Sequence, residues 1–177
     1  GSPRNETATT EHLIGHFLEG AREAGAETEI IRVAQKKINY CLGCFNCWFV
    51  TPGRCIHNDD MPEIRDKIKR SDILAYGSPL YVDGVTAQLK TMMDRQITSA
   101  MPFVEVQNGR SRHPGRGKGT GGRKKMVFIS NCGFGEKENF GPVIQHIKAV
   151  ARNMGLDYLG SLVRPMGGIL SRIEETD

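Results

Sequence analysis

Four cysteines crowd the stretch "CLGCFNCWFVTPGRC": Cys41, Cys44, Cys47 and Cys55. Their spacing is C-x2-C-x2-C-x7-C. Two C-x2-C steps present three thiols on one tight turn, as ferredoxin-type runs do. Thr51-Pro52-Gly53 can turn the chain so that Cys55 comes back as the fourth. Four converging thiolates can hold a [4Fe–4S] cluster. They can also hold zinc, although zinc sites more often use two separated C-x2-C pairs. A redox disulfide is a third option, because C-x2-C favours a lowered thiol pKa. The fourth is packing alone, with the cysteines as small apolar residues beside Leu42, Phe45, Trp48 and Phe49. The spacing leaves all four open.

Two further stretches carry polar chemistry. "GSPRNETATT" feeds directly into a helix, where free backbone N–H groups and the helix dipole favour an anion. Ser2, Thr7, Thr9 and Thr10 can donate hydrogen bonds and Arg4 adds charge, so a phosphate monoester fits. The alternative is a plain helix cap by Thr9 or Thr10. There is no G-K-[ST], so this is not a P-loop. "GSPLYVDGV" offers backbone groups and an aromatic face on which a planar ring can lie; the alternative is an ordinary strand-to-helix turn. His12 and His16 are one helical turn apart, but no acid or thiol completes a site, and they read as a solvated face.

The 177 residues suit one domain, 1–177, and 38% hydrophobic with 25% charged residues reads as globular. No apolar run reaches membrane-spanning length and no secretory signal is visible. Five clustered cysteines are unlike a disulfide framework, so a cytoplasmic location is expected. The net charge of +4 is local. Between Val106 and Gly135 there is no acid, and Arg110, Arg112, Arg116, Lys118, Arg123, Lys124 and Lys125 all fall there. The segment at about 101–124 reads as a basic, Gly-rich mobile surface loop. Sharper roles for it are the 2′-phosphate of NADPH or an acidic electron-transfer partner. Nucleic acid ranks lowest, because no aromatic platform interleaves with the charges.

The elements that must position these groups alternate. Helices are expected over 9–24, 60–70, 86–95 and 142–154, and strands at "TEIIRV" (28–33), "DILAYGS" (72–78), "MVFIS" (126–130) and "DYLGSLV" (157–163). Asp60 reads as the N-cap of the second helix. Such alternation predicts an α/β fold with a parallel sheet, whose ligands lie at the carboxyl ends of its strands. A sheet of this kind calls for a strand ahead of the first loop, and the sequence shows none there. Phe45, Trp48 and Phe49 predict either contact with another subunit or a local core.

Taken together, "GSPR…T", the four cysteines followed by "DDM", "SDILAYGSPLYVDGVTAQLKTMMDR" and "ISNCGFGEKENF" resemble the NADPH-dependent FMN reductase family, and within it the iron–sulfur flavoprotein branch. The resemblance covers roughly 1–98 and 124–165. It implies a flavodoxin-like three-layer α/β/α sandwich with a five-stranded parallel sheet, and FMN as cofactor. The phosphate is expected at Ser2, Arg4, Thr7, Thr9 and Thr10. The ring is expected on Pro79, Leu80, Tyr81, Val82, Asp83 and Gly84, with Asn131, Cys132, Gly133 and Phe134 closing the other side. Ala8 stands where the family usually has Asn. The implied activity moves electrons from NAD(P)H through flavin to a quinone, flavin or other small acceptor, with no side-chain nucleophile. An iron–sulfur electron carrier exchanging single electrons with ferredoxin, its cluster on Cys41, Cys44, Cys47 and Cys55, is the alternative; a non-catalytic flavin- or metal-binding regulator is the third. A homodimer or homotetramer is implied.

Overall fold

The computed structural model describes residues 1–4, 8–116 and 123–169. Thr7 and Lys118 lie outside them. Among the described residues helices α1 (Thr9–Glu23), α2 (Asn46–Phe49) and α3 (Met61–Arg70) precede strand β1 (Ile73–Pro79), and α4 (Ala87–Asp94) and α5 (Gly141–Asn153) then alternate with β4 (Lys125–Asn131) and β5 (Asp157–Arg164). These three strands are parallel, in the order β1-β4-β5. "KMVFISN" is buried along nearly its whole length, as a central parallel strand covered on both faces must be.

The two faces of the sheet pack differently. Leu74, Tyr76, Met126 and Phe128 meet α3, α4 and α5 through Ile64, Leu89, Met92, Val143 and Ile147 in one apolar core. Residues of opposite parity face α1. There Gly77 lets the helix sit close: a Cβ on it would stand 2.2 Å from Ile14 Cδ1. Helices on both faces of a parallel sheet make the three-layer α/β sandwich expected. No described helix is long and apolar enough to cross a membrane.

Four local expectations are corrected. "TEIIRV" makes no ladder among the described residues, and Val33–Gln35 turns into a 3-10 helix. A doubly wound sheet of order 2-1-3-4-5 places its first strand between such a segment and β1. Among the described residues no strand stands beside this segment, and the parallel sheet shows three strands. The basic loop contains a hairpin, β2 (Glu105–Gln107) against β3 (Arg110–Arg112). Asn108 and Gly109 take φ of 51° and 72°, the left-handed pair that a two-residue hairpin turn requires. Its neighbouring basic residues have structural work. Lys124 Nζ donates to the carbonyls of Ile68, Lys69 and Ser71 at the carboxyl end of α3, and Arg123 pairs with Asp157 at 3.0 Å. Finally, Asp60 does not cap α3 with its side chain. Its carboxylate accepts from Lys37 N (2.7 Å), and Asp59 accepts from Met61 N (3.2 Å) instead.

Gly77→Ala is expected to lower unfolding free energy by about 1–3 kcal/mol in a urea melt, through overpacking. Adding Ile14→Val should recover part of that loss. An unchanged midpoint in the single variant would show that α1 does not seat on Gly77.

Candidate functional site

The loops at the carboxyl ends of the strands are tied into one unit. Thr86 Oγ1 donates to the Gly1 carbonyl (2.6 Å) and accepts from Leu89 N (3.3 Å), so it pins the first loop while capping α4. Ser78 Oγ accepts from Thr86 N, and Leu80 N donates to the Asn131 carbonyl. Thr10 Oγ1 donates to Asn131 Oδ1 at 2.5 Å, and Thr9 Oγ1 donates to the Gly167 carbonyl at 3.1 Å. Both threonines are buried.

Thr9 and Thr10 thus spend their hydroxyls on joining loops, and neither caps its own helix. The N-cap position is Ala8, which brings no side-chain acceptor. The amides of the first turn are left as the donors for an anion. Ser2 is buried beside them, its Oγ accepting from Arg4 N (3.3 Å), and Arg4 is exposed.

In the second loop Tyr81 and Gly84 exchange both backbone hydrogen bonds at 3.0 Å. The two residues between them, Val82 and Asp83, are left-handed at φ 46° and 59°. That conformation is strained for a β-branched side chain, and strain of this kind gathers at ligand clamps. Val82 is 99% exposed, and Tyr81 and Phe134 present apolar surface nearby in the chain ends that follow β1 and β4. A planar ring system would cover such surface. Cys132 is different. Its side chain belongs to the main apolar core and its thiol donates to the Phe134 carbonyl (3.3 Å), so only its backbone is available to a ligand.

The cysteine loop is wound by left-handed residues, Gly43, Phe45 and Gly53. Cys41, Cys44, Cys47 and Cys55 line one pocket with Arg95, Ile97 and Thr98. Burial pushes the Cys47 thiol up, and so does the nearness of Cys55, Cys41 and Cys44. The Asn46 backbone and side-chain amides pull Cys44 down. The four sulfurs therefore sense one another. Yet no three His, Cys, Asp or Glu side chains among the described residues stand where one metal ion could bind them. Zinc at about 2.3 Å from each sulfur needs a tight tetrahedron. A cluster whose four irons each take one thiolate spreads the sulfurs wider. Four thiols around one pocket are a donor set that could hold a cluster.

Three arginines hold this loop in shape. Arg65 Nη1 donates to the Gly53 carbonyl (2.8 Å) and Arg116 Nη2 to that of Cys47 (3.3 Å). Arg95 Nη1 donates to the Asn39 carbonyl and to Asp59 Oδ2, both at 2.6 Å, and Nη2 to Asp59 Oδ1 at 3.2 Å. The Arg95 and Asp59 side chains are 1% and 0% exposed. Burial pushes the Asp59 carboxyl up, but bonds from Arg95 and from the Asn39 and Met61 amides outweigh it and hold it below the ordinary carboxylate range. The Nε of Arg65, Arg95 and Arg116 is in each case buried with no acceptor. Of the three, Arg95 lines the thiol pocket, and its unmet positive donor favours negative charge inside it.

Trp48 joins a local core: its Nε1 donates to the Ile97 carbonyl (3.0 Å) and its ring packs on Phe45, Phe49 and His113. Phe49 and Val50 remain 70% exposed.

A family model for NADPH-dependent FMN reductase matches residues 1–122. The chain belongs to that family. Among curated relatives, an iron–sulfur flavoprotein of Methanocaldococcus jannaschii is 46% identical over 95 residues, 54% of this chain and 48% of the relative. An iron–sulfur flavoprotein of Methanosarcina thermophila is 31% identical over 129 residues, 72% of this chain and 65% of the relative. The chain spans about half the length of the curated relatives it matches first. Two solved structures share the fold of this FMN reductase family member. An FMN-dependent NADH-azoreductase from Bacillus anthracis, in complex with FMN, aligns over 97% of this chain and 87% of its own, with TM-score 0.63 and 17% identity. An NAD(P)H:quinone oxidoreductase from Methanothermobacter marburgensis aligns over 97% and 89%, with TM-score 0.62 and 16% identity. The flavodoxin-like α/β architecture is thereby shared with that azoreductase and that quinone oxidoreductase.

Asp59, Arg65, Arg95 and Arg116 went unseen as site residues in the sequence. Arg95 stands at the end of "TMMDR", where the helix dipole alone accounts for a cation, so no local signal marked it out. Asp59→Ala leaves the Arg95 charge buried and unmatched and is expected to cost about 3–5 kcal/mol in a urea melt. The Asp59 carboxyl is depressed by folding, so its contribution is complete above its unfolded pKa of about 4 and is lost as pH falls through the lower folded value. The stability gap between wild type and Asp59→Asn should therefore be constant above about pH 4 and close below it. A gap that stays flat down to pH 2 would sink the account.

Proposed function

We propose that this chain is an FMN-dependent oxidoreductase that carries electrons from NAD(P)H to a small-molecule acceptor, and that its cysteine loop holds a [4Fe–4S] cluster. The observation that carries the second part is the convergence of Cys41, Cys44, Cys47 and Cys55 on one pocket, beside a buried arginine. The relatives' description as iron–sulfur flavoproteins supports it. FMN supplies hydride acceptance and the cluster supplies one-electron exchange.

The chain's own residues divide the remaining work. The amides of Thr9 and Thr10, the Ser2 hydroxyl and the Arg4 charge receive the phosphate, with Thr7 added by family resemblance. The Thr10–Asn131 hydrogen bond fixes that loop against the end of β4, so phosphate and ring seats keep their spacing. The strained turn from Tyr81 to Gly84, preceded by Pro79 and Leu80, forms one wall for the ring. Backbone groups of Asn131, Cys132 and Gly133, with the Phe134 side chain, form the other. Exposed Tyr81 and Phe134 exclude water once the ring lies between them.

A second reading makes the chain an electron carrier whose partner is a ferredoxin-type protein. The exposure of Cys44 favours it, since one edge of the cage then reaches the surface. Exposed Phe49, Val50, Phe103, Val104 and Val106 make a homodimer or homotetramer the expected assembly.

Protein purified without oxygen should carry about one FMN and about four iron and four acid-labile sulfide per chain. Cys47→Ser should lose the iron and keep the FMN. Flavin with no iron would discard the cluster and leave a simple FMN-dependent reductase; iron without flavin would discard the flavin site. NAD(P)H oxidation by the loaded protein separates the reductase from the carrier.

A further inference from the structure

Behind the cysteine pocket lies a second cavity of about 250 Å³, with Cys55 in the shared wall. Arg54, Arg65, Arg95 and His57 line it, and Met61 and Pro62 give it an apolar side. The charges here do not balance. Arg95 is matched by Asp59 at 2.6 Å. Arg65 gives one N–H to the Gly53 carbonyl, and neither Arg65 nor Arg54 pairs with a carboxylate among the described residues. Arg95 is 1% exposed, and its Nε and that of Arg65 are buried donors without an acceptor. His57 is held at the rim by its Nε2 bond to the Tyr40 carbonyl (3.2 Å).

These guanidinium groups are not accounted for by the cysteine cage. Arg95 borders both spaces, but Arg54 and Arg65 line only the second. A planar fork of N–H donors matches a carboxylate or a phosphate group, and a partly enclosed site strengthens that attraction. The space exceeds the acidic group alone, and the apolar side suits a small organic body attached to it.

We propose that this cavity binds a small organic anion through its carboxylate or phosphate group, held by Arg54 and Arg65 and seated against the outer side of Cys55. The site needs neither FMN nor a cluster to form, so it stands apart from the function proposed above. If a cluster is present, the anion lies beside it, and the cavity becomes the place where a small acidic electron acceptor docks.

The test uses FMN-saturated full chain, so that the amides at the start of α1 are already occupied. Isothermal titrations with inorganic phosphate, phenyl phosphate and benzoate are run at one ionic strength, with chloride as the reference. Saturable binding of at least one probe, weakened about tenfold or more in both Arg54→Gln and Arg65→Gln, is expected. Phosphate-selective binding names a phosphate ester as ligand class, benzoate-selective binding a carboxylic acid. Arg65 also supports the Gly53 turn, so its variant could lose the loop; Arg54 makes no such bond, and its variant keeps the test decisive. Binding no different from chloride, or binding unchanged in Arg54→Gln, overturns the proposal. Failure to retain FMN would overturn the flavin reading and leave this one to be decided on apo protein by the Arg54 variant.

Discussion

The ion pair between Arg95 and Asp59 is the constraint on which the cysteine loop depends. Arg95 begins the turn after α4, and Asp59 stands before α3. Asp59 accepts from the amides of Asn39 and Met61, while Arg95 donates to the Asn39 carbonyl. One pair thus fixes where the loop leaves the sheet side of the molecule, where it returns, and where the next helix starts. Two ions removed from water repay their desolvation only when the remaining hydrogen-bond capacity is met. On Asp59 it is met. On Arg95 one N–H is left over, and it lies where the thiols gather.

This placement sets the distance between the two candidate centres. Thr86, at the start of α4, is bonded to the first loop through the Gly1 carbonyl, and Arg95, at its end, to Asp59 behind the cysteine loop. A helix of eight residues is about 12 Å long. The two sites are therefore not adjacent within one chain. They are the two ends of a short rigid rod, each end anchored by a buried polar bond.

Much of this was legible in the sequence because it is written locally. The periodic apolar runs gave the helices and the three paired strands within a residue or two, and C-x2-C-x2-C needs no tertiary information to bring three thiols together. What was hidden is set by partners far along the chain. "TEIIRV" has every local mark of a strand, but a ladder requires a neighbour, and none stands beside it among the described residues. The hydroxyls of Thr9 and Thr10 are the right groups for a phosphate, yet they meet Asn131 and Gly167 instead, more than a hundred residues away. Asp60 fits a capping box, and the adjacent Asp59 takes the helix amide because Lys37 N occupies Asp60. The Asn108-Gly109 hairpin was the one local signal that composition masked, since its basic, glycine-rich surroundings read as a loop.

The arginines show why charge counting along a sequence misleads about function. The basic segment read as a solvated surface loop, with the 2′-phosphate of NADPH or an acidic partner as sharper roles. Folded, Arg116 spends itself on the Cys47 carbonyl, Arg123 on Asp157 and Lys124 on the end of α3. Arg54 attracted no notice among neutral neighbours, nor Arg65 among the other charges of α3. They are the ones left without a carboxylate beside an open cavity. Arg54 is exposed and its charge is solvated, whereas the buried, unmet Nε of Arg65 is costly unless something negative enters. Burial and pairing, rather than density along the chain, decide which charges of this protein are free to do chemistry.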